Sequence, residues 1–287
     1  MTRTYGSQSM VGELQTVLVR RPDEVFGNAD PEKWHYTTQP KLPEAQAEHD
    51  AFVQALHQAN IEVVYHDAAL PDHADAIFTH DPVIVSNEGA ILLQMGKPLR
   101  RGEETAIGET LTRMGVPIHY RLQGEALAEG GDLLWIDDKT LAAGEGFRTN
   151  AEGIRQLQEA LPDVEVMSVQ LSYYQGPEAC LHLMSFISLV DHDLAVIYEP
   201  LIPVPFWQYL KSRGFRFVHV PEEEWLSMGP NVLALAPGKC LMLRDNPITK
   251  QRLEAAGCEV LTYKGDEISL KAEGGATCLT RPVLRAY

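Results

Sequence analysis

The chain has 287 residues with 24 Lys+Arg against 40 Asp+Glu, a net charge of −16, and is 45% hydrophobic and 22% charged. That balance argues against nucleic acid and anionic membrane surfaces as partners, because phosphates demand a basic face, and the composition is that of a globular rather than a disordered chain. No apolar run approaches the roughly 18 residues of a membrane span, no export signal is visible, and the four cysteines (Cys180, Cys240, Cys258, Cys278) form no C-x-x-C pair, which together predict a cytoplasmic protein without structural zinc.

Taken in chain order, one grammar recurs: hairpin, helix, strand. The first unit is the least regular. It has a strand over 14–20, a long polar loop over 21–41, a helix carrying Phe52, Leu56 and Ala59, and a strand over 61–65. That loop reads equally well as a lid or as irregular surface chain. The second unit has a hairpin over 83–93 turning at Asn87-Glu88-Gly89. Its helix places Ile107, Leu111 and Met114 on one face and stops at Gly115, before a strand over 116–122. In the third, 132–144 turns at Asp137-Asp138-Lys139. Thr149 or Asn150 caps a helix with Ile154, Leu157 and Leu161, Pro162 stops it, and 164–169 is a strand.

The fourth unit runs 186–198 with its turn at Asp191-His192-Asp193, a short helix between Pro205 and Gly214, and a strand over 215–220. The fifth runs 231–243 with its turn at Pro237-Gly238, a helix from Asn246-Pro247 to Gly257, and a strand over 258–263. Helices stop at 60, 115, 162, 214 and 257, a period of roughly 50 residues that marks a repeat. Only the order of elements repeats, not the residues, and a plain α/β sheet has the same alternation. No Gly/Ser/Pro-rich linker interrupts the series, which predicts a single domain over 1–287.

The polar residues that fit neither a core nor a solvated face sit in the junctions between units. These are Asp75 to Asp81, Glu129-Gly130-Gly131-Asp132, Cys180 to Ser185 with His182, and Glu273-Gly274-Gly275 with Cys278. Units arranged around an axis bring equivalent junctions together, and with them several carboxylates, a histidine and a cysteine. Cys240 and Cys258, inside strand patterns, read as buried hydrophobes. Cys278 follows a double glycine that can present a side chain to a cleft. A cysteine near a histidine is the minimum for covalent catalysis. At least four acids beside it would repel a thiolate, unless the substrate brings positive charge of its own. A guanidinium does so, and it matches carboxylates through paired hydrogen bonds.

On these residues the sequence resembles the guanidine-modifying enzymes of the pentein fold: dimethylarginine dimethylaminohydrolases (DDAH), arginine deiminases, arginine dihydrolases and amidinotransferases. The resemblance runs over nearly the whole chain and implies a five-bladed α/β propeller with pseudo-five-fold symmetry. It implies Cys278 as nucleophile, His182 as general acid/base, and Glu129 as the acid that binds the guanidinium and supports His182. Asp81 would grip the guanidinium nitrogens and Asp75 would contact the substrate's amino-acid end, with Asp132 counted in the same acid cluster. Arg148, in Gly146-Phe147-Arg148-Thr149-Asn150, would bind a carboxylate. Arg101 is the second candidate for that task, although Arg100 could take its place.

The stretch His182-Leu183-Met184-Ser185-Phe186 follows the DDAH pattern, where arginine deiminases read His-Leu-Asp. Asp81 stands where dihydrolases tend to have Asn, and His80 where relatives often carry Arg or Glu. The implied function is hydrolysis of arginine or an Nω-methylated arginine through a covalent thiouronium, giving citrulline with ammonia or an alkylamine. No metal or organic cofactor is needed, and the partner is a small cationic guanidino compound. The rival readings are arginine deiminase or dihydrolase action on free arginine, amidino transfer, and, from a different class, non-catalytic binding of arginine.

Overall fold

A computed structural model describes residues 3–179 and 181–286. The chain opens with strand β1 (Leu14–Val19), two single-turn helices α1 (Glu24–Gly27) and α2 (Pro31–Trp34), the long helix α3 (Leu42–Gln58) and strand β2 (Glu62–Tyr65). The hairpin β3 (Val83–Val85) and β4 (Ala90–Leu92) follows, then α4 (Glu103–Arg113) and β5 (Ile118–Arg121). The same order recurs in β6 (Leu133–Asp137), β7 (Thr140–Glu145), α5 (Ala151–Ala160) and β8 (Glu165–Gln170). It recurs again in β9 (Ile187–Asp191), β10 (Leu194–Ile197), α6 (Val204–Ser212) and β11 (Arg216–His219). The last unit has β12 (Leu233–Ala236), β13 (Lys239–Leu243), α7 (Pro247–Ala255) and β14 (Glu259–Tyr263), and β15 (Arg281–Arg285) ends the series.

These strands form five three-stranded sheets. In each, the middle strand pairs antiparallel with an inner strand and parallel with an outer one, which the helix reaches by a crossover. The inner strands β3, β6, β9, β12 and β15 are almost wholly buried, whereas the outer strands β2, β5, β8, β11 and β14 are largely half-buried or exposed. Ile84, Leu133, Leu189, Leu233 and Pro282, one from each inner strand, line a single small cavity. The inner strands therefore converge on one axis, and the molecule is a five-bladed α/β propeller.

The irregular first unit has its explanation here. Its missing inner strand is β15, which pairs antiparallel with β1 (Val17 opposite Pro282) while β1 pairs parallel with β2 (Val17 opposite Val63). The end of the chain thus closes the ring against its beginning.

Each helix stops two residues before the position at which the sequence signals a stop. Asn60 (φ 61°), Gly115 (φ 82°), Gly214 (φ 86°) and Gly257 (φ 100°) take the left-handed conformation that ends a helix at little cost. At Pro162 the mechanism differs, because Leu161, as the residue before a proline, leaves the helical region. Asn150 is the cap of α5, accepting from Gly153 N at 2.8 Å, an interaction that contributes about 1 kcal/mol.

The 21–41 segment is packed, not loose: Phe26, Trp34 and Tyr36 are buried in a core cluster shared with α3 and the first and fifth blades. Among the described residues no helix is long and apolar enough to cross a membrane.

Candidate active site

Every junction precedes an inner strand, so all five meet at one rim of the axis. A ring of hydrogen bonds joins them. His80 N donates to Cys278 O at 3.2 Å and Gly130 N to Asp81 O at 2.9 Å. Leu183 N donates to Asp132 Oδ1 at 2.9 Å, Ser188 Oγ to Pro230 O at 2.7 Å, and Thr277 N to Asn231 Oδ1 at 3.0 Å. Two of the glycines in these junctions are required by close approach. A side chain on Gly131 would overlap the His182 ring at 2.4 Å, and one on Gly275 would overlap the Asn231 amide at 2.5 Å.

At the rim Cys278 is half-buried, and its Sγ accepts from Asn231 Nδ2 at 3.3 Å. Burial and then the Asp81 charge push the thiol up to about 11, against the opposing pull of Asn231 and His182. His182 Nε2 lies 2.7 Å from Glu129 Oε2. An ionised carboxylate can only accept, so the proton of this contact sits on Nε2 and is donated to Glu129. Glu129 is 1% exposed; its Oε1 accepts from Lys97 N at 2.9 Å and lies 3.7 Å from Arg148 Nη1. Burial alone would raise this carboxyl, but the hydrogen bond and charge of His182, with Arg148, outweigh it and hold the pKa below the ordinary value.

Asp81 is buried with Oδ2 2.6 Å from Arg100 Nη1 and Oδ1 accepting from Gly131 N at 3.0 Å. Against the cost of burial, Arg100 and then His182 keep it ionised, well below the usual carboxylate range. Arg100 is fixed in turn by Glu103 (2.7 Å) and by donating to Phe78 O at 2.8 Å. Arg100, not Arg101, is therefore the arginine beside the acids. Arg101 is turned outward and donates through Nε to Met95 O at 3.3 Å.

Asp132 is fully buried and faces protein groups on both oxygens, Leu183 N and Thr149 Oγ1 (2.7 Å), so its contact with the site passes through the backbone next to His182. Burial pushes it up to about 6 from an ordinary 3.8. A raised carboxyl contributes most below its unfolded pKa, and that contribution is lost as pH rises through the folded value. Asp132→Asn is accordingly expected to gain on the parent by about 2 kcal/mol between about pH 4 and pH 7. Urea unfolding at the two pH values reads the difference, and a pH-independent difference would refute the raised pKa.

Asp75 is joined by Tyr36 Oη (2.7 Å) and by Lys97 Nζ (2.6 Å). Arg148 is buried, with Nη2 3.4 Å from Glu178 O in addition to its approach to Glu129. Of the remaining expectations, Cys240 is buried within β13 and Cys258 just before β14. Met184 lies in the core, and His80 is buried with Nδ1 donating to Thr280 O at 3.0 Å. Cys180 lies outside the described residues. Among the described residues no three His, Cys, Asp or Glu side chains group as a metal site.

Four residues of this neighbourhood carry no clear mark in the sequence: Asn231, Lys97, Tyr36 and Glu103. Only Asn231 had a usable signal. It occupies the junction between the fourth and fifth units, the one junction whose polar residues did not stand out.

The propeller with a rim cysteine, a His–Glu pair and a clamped aspartate defines the class of guanidine-modifying penteins. The family model described as "N,N dimethylarginine dimethylhydrolase, eukaryotic" matches residues 22–285, and the chain belongs to the dimethylarginine dimethylaminohydrolase family. The uncharacterized protein YkgA of Bacillus subtilis is 30% identical over 96% of this chain and 93% of its own. The N(G),N(G)-dimethylarginine dimethylaminohydrolase of Streptomyces coelicolor is 32% identical over 83% and 85%. Among solved structures, the DDAH of Pseudomonas aeruginosa, a cysteine-to-serine mutant complexed with citrulline, superposes with a TM-score of 0.79 at 23% identity. It covers 95% of this chain and all of that one.

Proposed function

We propose that the protein hydrolyses a C–N bond of a guanidino carboxylic acid, with arginine and Nω-methylated arginine as the reference substrates and Cys278 as the nucleophile. Family membership supports the reaction class, a hydrolase of guanidino C–N bonds. The observation that carries the mechanism is a half-buried thiol within reach of the charges of Asp81 and His182, with His182 itself hydrogen-bonded to Glu129. Asp81 and Glu129 take the guanidinium nitrogens, and the bound cation offsets the acids that keep the thiol protonated. The Cys278 thiol passes its proton to His182 as the Sγ electron pair adds to the guanidinium carbon. The C–N bond breaks as His182 gives a proton to the departing amine, leaving a thiouronium on Cys278. Water, losing a proton to His182, adds to the same carbon, and the C–S bond breaks to release the ureido product and the thiolate. Glu129 stabilises the imidazolium throughout.

The purified protein given arginine or dimethylarginine is expected to yield citrulline with equimolar ammonia or alkylamine, without any amine acceptor. Thermal stabilisation by these compounds with no product would sink the proposal in favour of a binder, and product only with an acceptor would favour amidino transfer.

A further inference from the structure

Lys97 and Arg148 both reach Glu129, and Lys97 is paired with Asp75, so these three residues adjoin the reacting groups. Lys97 N and the Arg148 guanidinium approach the same oxygen of Glu129, and Gly96 packs so closely on the Arg148 backbone that a side chain there would overlap it. Glu273, on the segment that carries Cys278, is near enough to feel the charges of His35 and Lys97. Here the charge is arranged in an unusual way. Asp75, the buried acid of the three, has one oxygen on Tyr36 and the other on the Lys97 ammonium. Lys97 is firmly seated: Nζ also donates to Trp34 O at 3.1 Å and lies 5.2 Å over the Trp34 ring. Arg148, by contrast, donates to the Glu178 carbonyl at 3.4 Å and, among the described residues, has its ion-pair contact with Glu129 at 3.7 Å, an acid already hydrogen-bonded to His182. Glu178 is paired with His35 at 3.4 Å, and the remaining acid, Glu273, is exposed to solvent.

We propose that Lys97 sets the substrate class: it occupies the position at Asp75 that a substrate ammonium would need, so the preferred substrate is a guanidino carboxylate without an α-amino group. Its carboxylate is met by Arg148 and by the N–H that Lys97 has left over. An α-ammonium would face a neutralised acid and a like charge, which costs binding without a compensating contact. The inference rests on the hydrolase reading above and narrows its substrate.

The test compares kcat/KM for 5-guanidinopentanoate, arginine and agmatine, which lacks the carboxylate, in the parent and in Lys97→Met. The parent is expected to favour guanidinopentanoate over arginine by about tenfold or more and to leave agmatine slowest. Lys97→Met leaves the backbone bond to Glu129 in place and opens Asp75, so arginine is expected to gain on guanidinopentanoate by about tenfold, chiefly through KM. A parent that prefers arginine overturns the inference and leaves the hydrolase reading standing, as does a ratio that Lys97→Met does not move. Loss of folding in the variant leaves the parent ratio as the deciding result. Absence of turnover with every guanidine, with Cys278 unlabelled by a haloamidine, overturns the hydrolase reading itself, and this inference with it.

Discussion

Cys278→Ser is expected to lower kcat by about 10,000-fold or more, with guanidine binding retained. A serine hydroxyl keeps the hydrogen bond from Asn231 but ionises far less readily than a thiol, and no group here is placed to make it a comparable nucleophile. The parent thiol has a pH signature of its own. Because burial and Asp81 push it up to about 11, the free protein holds little thiolate at neutral pH. Alkylation by neutral iodoacetamide should rise about tenfold per pH unit until that value is approached. A cationic haloamidine, bringing its own charge to Asp81, should label Cys278 faster at pH 7 than the neutral reagent does. Full turnover in the serine variant would refute the covalent scheme, and a pH-independent alkylation rate would refute the environment assigned to the thiol.

Glu129→Gln is expected to lower kcat by about 1,000-fold with a smaller change in KM. Glu129 accepts from His182 Nε2 on one oxygen and from Lys97 N on the other. A glutamine has one oxygen, so one of those donors loses its acceptor, and the negative charge that favours imidazolium disappears. The readout that separates this from a structural effect is the pH profile: the limb governed by His182 should move to lower pH while the melting temperature holds. A variant with parental kcat would remove Glu129 from the catalytic groups, whatever its effect on stability.

How much of this was legible beforehand depends on how local the cause is. Hairpin turns and helix stops were readable because one or two residues decide them: Asn60, Gly115, Gly214 and Gly257 each take the left-handed conformation that ends a helix, and Asn150 caps α5 by itself. The pairing of β15 with β1 was not readable from periodicity, because two strands at opposite ends of the chain show no local sign of being neighbours. The convergence of Asp81, Glu129, His182 and Cys278 followed once the units are taken to surround an axis, since equivalent junctions of a ring must meet. That argument extended to Asn231 as well, but an asparagine among turn residues has nothing to set it apart from its neighbours.

Arg100 and Arg101 show where sequence reasoning ends. They are adjacent and chemically identical, yet the short turn Pro98–Arg100 sends one into the acids at 2.6 Å from Asp81 and the other outward to Met95 O. Tyr36 and Lys97, from separate loops, reach Asp75 only because the 21–41 segment buries its aromatic residues against the propeller. Composition, periodicity and the junction residues were thus enough to read a five-fold repeat, to favour a cationic ligand and to pick out candidate reacting groups, because repeat order and residue chemistry are properties of the chain itself. The propeller, against a plain α/β sheet, came from the family resemblance. Which acid is paired, which arginine reaches Asp81 and which lysine reaches Asp75 are decided by the tertiary structure. These depend on contacts of a few ångströms between segments distant in the chain, and a buried charge is defined only by the partner that reaches it.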